Sequence, residues 1–83
     1  MRLIFKESAA QQIRKLEQPV RIRILEKLQF YLTQSNPLKY AEPLKDSRLG
    51  GWRFRIGDYR VLFDVDRDKI IILKVGHRKE IYK

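Results

Sequence analysis

Arginines dominate the part of this sequence that has the chemistry of a site. Arg53 and Arg55 stand one residue apart and Arg60 follows closely. The tail GHRKEIYK then adds His77, Arg78, Lys79 and Tyr82. Guanidinium groups held side by side bind phosphate oxygens in bidentate fashion. They also stabilise the negative charge that builds on a phosphorus centre under attack. An imidazole titrates near neutrality and a phenol can donate or accept, so His77 and Tyr82 are the groups that can move a proton or orient a base. Two bland readings stand beside these: strand arginines can be solvated decoration, and a histidine beside an arginine can be an ordinary surface pair.

The elements that must position these groups are short strands. In WRFRIGDYRVLF, residues 52–63, apolar and basic residues alternate on both sides of Gly57-Asp58. A Gly-led two-residue loop suits a type II′ hairpin turn, because glycine takes positive φ without steric cost. That turn sets Ile56 opposite Tyr59, Arg55 opposite Arg60, Phe54 opposite Val61 and Trp52 opposite Phe63. Directly opposed residues share a face, so Arg55 and Arg60 become neighbours with Arg53 one step along. Like charges so placed cost a hairpin about a few tenths of a kcal/mol, a cost that an anion on this face would offset.

Upstream, residues 2–6 read as a strand. A helix opens near Glu7-Ser8 with Ser8 as a candidate cap and runs to Glu17. A second helix, with Pro19 in its first turn, runs to about Gln34 with Val20, Ile24, Leu28 and Tyr31/Leu32 as its apolar stripe. Residues 35–51 read as a loose segment tacked down by Leu38, Tyr40 and Leu44, with Lys45 and Arg48 adding charge. After the hairpin, a three-residue loop at Asp66-Arg67-Asp68 leads into the strand KIIILKV, residues 69–75. The expected register pairs Val61 with Leu73, Phe63 with Ile71 and Arg60 with Lys74. Odd residues then enter the core, and Ile72, Lys74 and Arg78 join Arg53, Arg55 and Arg60 on a face with little acidic relief. The expected fold is α+β: a compact β-α-α-β-β-β domain spanning residues 1–83, mainly an antiparallel sheet with both helices packed on one face.

Composition bounds the partners. Lys+Arg number 19 against 10 Asp+Glu, a net charge of +9, which favours a polyanion: nucleic acid, an acidic protein segment or a membrane surface. The membrane reading ranks last, because the second helix is basic only at its start. With no cysteine there is no disulfide and no thiolate metal site. The first residues hold too short an apolar run for a signal peptide, and nothing approaches a membrane span, so a soluble cytoplasmic protein is expected.

The string LGGWRFRIGDYRVLFDVDRDKIIILKVGHRKEIYK resembles the C-terminal half of RelE-type toxins of the RelE/ParE superfamily, small basic toxins of prokaryotic toxin–antitoxin pairs. The features that carry the likeness are the aromatic-basic-x-basic strand, the Gly-x-Tyr-Arg turn, the apolar third strand and the closing Gly-His-Arg-Lys-Glu-x-Tyr. The resemblance implies a metal-independent endoribonuclease that cuts mRNA in the ribosomal A site. The RNA 2′-OH attacks the adjacent phosphate, with mRNA, the 70S ribosome and a cognate antitoxin as partners and no cofactor or membrane. It places Arg53, Arg55, Arg60, Arg78 and Tyr82 in the site; Lys45, Arg48, Lys74 and Lys79, which extend the positive charge around them, are the expected flanking RNA contacts.

Familiar members carry lysine where this chain has Arg53 and Arg55. Lysine can lose its proton among other cations and arginine cannot, so the general base is left to His77 or Tyr82. Two other readings are a ParE-like toxin of the same fold that inhibits DNA gyrase, against which the ending Arg78…Tyr82 argues, and a binding module whose basic face docks an acidic partner. For the antitoxin, an acidic or amphipathic segment covering the arginine face is expected.

Overall fold

The computed structural model describes residues 1–83. Strand β1 (Arg2–Phe5) leads into helix α1 (Glu7–Lys15) and helix α2 (Gln18–Thr33). A short 3-10 turn at Pro37–Tyr40 then introduces strand β2 (Ala41–Pro43), and a second at Ser47–Leu49 precedes β3 (Trp52–Ile56), β4 (Tyr59–Asp66) and β5 (Lys69–His77). The five strands form one sheet in the order β1-β5-β4-β3-β2. β1 runs parallel to β5 and every other pairing is antiparallel. No helix is long and apolar enough to cross a membrane.

Helix α1 starts after Lys6 without a side-chain cap, and Ser8 turns its hydroxyl to the Leu73 carbonyl instead. Glu7 in the first turn and Arg14 and Lys15 in the last complement the helix dipole. The helix stops at Lys15, short of Glu17, where Leu16 becomes extended. Pro19 then occupies the first turn of α2, where its missing N–H costs nothing.

Both helices cover one face of the sheet. Ala9 and Ile13 of α1 and Ile24, Leu28 and Tyr31 of α2 pack with Phe54, Ile56, Val61, Phe63, Ile70, Ile72 and Val75. An aromatic column runs through this core. Tyr40 stacks on Tyr31 at 5.1 Å between ring centroids, Tyr31 on Phe54 at 4.6 Å and Phe54 on Phe63 at 4.4 Å.

The β3–β4 hairpin has the expected register, with Gly57 at φ 60° in its two-residue turn. The β4–β5 hairpin does not. Its turn has two residues, with Arg67 at φ 59°, and sets Val65 opposite Ile70 and Phe63 opposite Ile72. The ladder then jumps, so that Leu62 meets Lys74, Val61 meets Val75 and Arg60 meets Gly76. Leu73 is the extra residue of a β-bulge. Regular pairing from this turn would drive Lys74 among the helices, and burying an unpaired ammonium is expensive. The bulge inverts the parity, so Ile70, Ile72 and Val75 all face the core and Lys74 faces away. The expectation that Ile72 lies beside the arginines is therefore corrected: it is fully buried under the helices.

The segment expected to be loose contributes β2, an edge strand with Ala41 opposite Phe54, Glu42 opposite Arg53 and Pro43 opposite Trp52. Three residues are too few to show a period of two, and proline is tolerated on an edge. Gly51 N–H donates to Asp64 Oδ1 at 2.6 Å, which ties the start of β3 to β4.

Candidate functional site

The face turned away from the helices carries the arginines. Register places Glu42, Arg53, Leu62 and Lys74 in one row across β2, β3, β4 and β5, and Arg55, Arg60 and Gly76 in the next. This face is not an open sheet. Beyond β5 the chain turns back over it: the N–H groups of Glu80 and Ile81 both donate to the His77 carbonyl, and Arg78 N–H donates to Asp58 O at 2.7 Å. The returning segment brings Tyr82 against Arg53, whose Nη1 donates to the Tyr82 hydroxyl at 2.7 Å.

Arg60 lies at the centre, only 7 % exposed. Its Nη1 donates to the carbonyls of Gly57 at 3.0 Å and Tyr59 at 2.8 Å, which fixes the guanidinium over the hairpin turn. Burial pushes it below the usual arginine range, and the charges of Arg55, Arg53 and Arg78 push the same way while Tyr82 opposes them. Arginine nevertheless stays protonated, so a concentrated positive field stands here without a matching number of acids. Arg53 is held above its usual range, first by the Tyr82 hydrogen bond and then by Glu42, against the effect of its burial. The Arg78 guanidinium stands 3.7 Å from the Asp58 carboxylate.

The residue not foreseen is Glu42. Its Oε1 lies 3.4 Å from Arg53 Nε and 3.7 Å from Arg55 Nε, which supplies the acidic relief that this face was expected to lack. Glu42 Oε1 and Arg53 Nε are shut off from solvent, and neither completes a hydrogen bond. The two atoms face each other across the ion pair at 3.4 Å. The only prior signal was a carboxylate beside Pro43, and its partner becomes visible only once β2 is paired with β3.

The site residues expected from the sequence divide into two groups. Arg53, Arg55, Arg60, Arg78 and Tyr82 are brought together. Lys45 lines a groove of about 350 Å³ with Pro43, Leu44, Asp46, Leu49, Arg53 and Tyr82, beside the cluster. Lys74 shares the arginine face. Arg48 is engaged elsewhere, in a two-point pair with Asp46 at 3.0 and 2.9 Å that holds the Asp46 carboxyl below its usual range. His77 is set opposite Tyr59 on the helix side of the sheet, ring against ring at 5.4 Å, and its Nδ1 accepts the Lys79 backbone N–H. It is thus on the other side of the sheet from Arg60, and Lys79 is exposed beyond the strand end. No group of three or more His, Cys, Asp or Glu side chains is gathered to hold a metal.

Over residues 3–82 the chain matches the family described as ParE toxin of type II toxin–antitoxin system, parDE. It is 30% identical over 81 residues to Toxin RelG of Mycobacterium tuberculosis, covering 95% of this chain and 92% of that one. The toxin–antitoxin complex RelBE2 of the same organism superposes with a TM-score of 0.80 at 28% identity, over 93% of this chain and 96% of that one. The RelB-RelE complex of Methanococcus jannaschii superposes with a TM-score of 0.69 at 29% identity, over 95% and 94%. The isolated RelE toxin of E. coli shares the fold, with a TM-score of 0.72 at 24% identity over 98% of this chain and 89% of that one. The chain belongs to the RelE/ParE superfamily of type II toxin–antitoxin toxins and is a toxin of the RelE type.

Proposed function

We propose that this toxin is a ribosome-dependent endoribonuclease that cuts mRNA by attack of a 2′-OH on the adjacent phosphate. The observation that carries the reading is the gathering of Arg53, Arg55, Arg60 and Arg78 into one cluster, with Glu42 paired to Arg53 and Arg55 and Tyr82 hydrogen-bonded at the rim. In-line attack concentrates negative charge on the non-bridging oxygens, and Arg60, held rigid by two carbonyls, clamps them with Arg55 beside it. Glu42 keeps a side chain about half exposed while Arg53 and Arg55 hold it in place, and its carboxylate takes the 2′-OH proton in place of His77 or Tyr82 as the general base. Tyr82, its oxygen engaged by Arg53, offers a half-exposed ring on which a splayed base stacks. The 2′-O–P bond forms as the P–O5′ bond breaks, leaving a cyclic phosphate and a 5′ oxygen that takes its proton from water to become the 5′-OH. With few groups closing the site, the ribosome and the message supply the remaining geometry.

The solved relatives from M. tuberculosis and M. jannaschii are complexes with antitoxins. For this chain we assign a cognate antitoxin with an acidic or amphipathic segment over the arginine face. The net charge of +9 supports this.

The test is in vitro translation of a defined message, followed by primer extension and end-group chemistry, with wild type beside Arg60→Ala and Tyr82→Phe. The expected result is cleavage at A-site codons with cyclic-phosphate ends. Losing one such anion-stabilising group costs about 10²–10³ in rate, so Arg60→Ala is expected to be silent on the gel. An intact message beside normal translation sinks the reading and turns attention to DNA supercoiling, the activity of ParE-like toxins.

A further inference from the structure

In the turn that follows β5, Ile81 is 1% exposed. It does not belong to the core beneath the helices. It lies on the arginine face, above Gly76: a Cβ built on Gly76 would stand 3.2 Å from Ile81 Cδ1. Gly76 is the residue opposite Arg60, and Leu62, one row along on the same face, is fully buried although no helix covers it. This face of the sheet therefore has buried apolar residues of its own, Leu62 and Ile81, with Ile81 seated in the space that Gly76 leaves open. The residue after Ile81 is Tyr82, and Arg78 lies three before it.

We infer that Ile81 is a positioning residue whose plug over Gly76 holds Arg78 and Tyr82 in the arginine cluster and keeps water from Arg60. It touches neither substrate nor reacting atoms. It acts by locking the returning turn, whose release would break the Arg53–Tyr82 hydrogen bond. The kinetic part of the claim rests on the nuclease reading, whereas the structural part does not.

The experiment follows the guanidinium N–H resonances of Arg53 and Arg60 by NMR, together with single-turnover cleavage on programmed ribosomes. It compares wild type, Ile81→Ala, Gly76→Ala and the double variant Gly76→Ala/Ile81→Val. In Ile81→Ala, exchange protection of the Arg53 guanidinium is expected to vanish while the sheet amides stay protected. Misplacing the cluster by about an ångström costs on the order of 10²-fold in rate, so kcat falls by that factor and KM stays within about twofold. Gly76→Ala crowds Cδ1 and repeats the defect in milder form, and Ile81→Val removes that atom and restores both signals. The double variant keeps the inference falsifiable if Ile81→Ala unfolds. A folded Ile81→Ala protein with Arg53 still protected and kcat unchanged overturns the inference, and so does a double variant no better than Gly76→Ala. If wild type cuts no RNA but Arg53 protection follows the plug as described, the positioning role stands and the nuclease reading falls.

Discussion

Replacing Glu42 with glutamine separates three roles that one carboxylate plays. The amide keeps the shape and loses the charge and the basicity. At the observed separations of 3.4 and 3.7 Å, and an effective dielectric of about 20, each arginine attracts the carboxylate by about 5 kcal/mol before solvent is counted. The side chains are 44% exposed for Glu42, 29% for Arg53 and 59% for Arg55, so water screens most of this. Pairs that open to solvent keep about 0.2–1 kcal/mol. Adding the unrelieved repulsion between the arginines, the loss of stability comes to about 1 kcal/mol, or roughly 4–8 °C in melting temperature for a domain of this size. RNA binding moves the other way, because one more cation is free for phosphate, and the logarithmic salt slope steepens by about 0.7 for each added contact. The single-turnover rate on programmed ribosomes falls by about 10²–10⁴, the ordinary worth of a general base. Thermal melts, filter binding across a salt series and primer extension read these separately. A Glu42→Gln rate within about twofold of wild type at saturating toxin would falsify the assignment of the base. An unchanged melt with unchanged salt slope would show that Glu42 does not neutralise the arginines at all.

Phe54→Ala empties the middle of the aromatic column between Tyr31 and Phe63, at a cost of about 3–5 kcal/mol. Denaturant titration is expected to show a protein mostly unfolded near body temperature. Gly57→Ala forces a side chain to φ 60° and meets the Arg23 guanidinium 2.9 Å away. The backbone strain alone is worth about 1–2 kcal/mol, and chemical denaturation should report at least that. Deletion of Leu73 takes out only the bulged residue and leaves Phe63 opposite Ile72, Leu62 opposite Lys74 and Val61 opposite Val75. It is expected to give a folded, anion-binding protein by circular dichroism and phosphate titration, whereas deletion of Ile72 and Leu73 together sets Lys74 opposite Phe63, on the core side, and abolishes folding.

The β3–β4 hairpin was legible because its turn is local chemistry: Gly57 demands a two-residue loop, and alternation on either side then fixes every pair. The β4–β5 pairing was not, because KIIILKV is apolar nearly throughout and carries no alternation to set a register. Its register is decided by tertiary burial, which places Ile70, Ile72 and Val75 under the helices and lets Leu73 bulge. Lys74 was nevertheless placed on the correct face, since a lysine resists burial whatever the ladder does. The arginines and Tyr82 followed from residue type and family pattern. Glu42 did not, because its role depends on a three-residue edge strand that no periodicity reveals. Nothing in the tail GHRKEIYK marked Ile81, and only the return of the chain over Gly76 reveals its burial.

The bulge links fold and site. A continuous ladder from the Arg67-Asp68 turn would have buried Lys74 and set a different residue beside Arg60. With Leu73 extruded, a glycine comes opposite Arg60, and the missing side chain admits Ile81 and the turn that carries Arg78 and Tyr82. The repulsion around Arg60 is then borne by fixed partners: the Gly57 and Tyr59 carbonyls at Arg60 itself, Glu42 at Arg53 and Arg55, and Asp58 at Arg78. These partners leave a net excess of positive charge, because four guanidiniums, one of them the buried Arg60, face two carboxylates in the cluster. That excess is unfavourable to the free protein and favourable as soon as an anion arrives. An anion that fills it should therefore stabilise this toxin by mass action, and an antitoxin that lays acidic side chains there would act through the same field as a phosphate ligand.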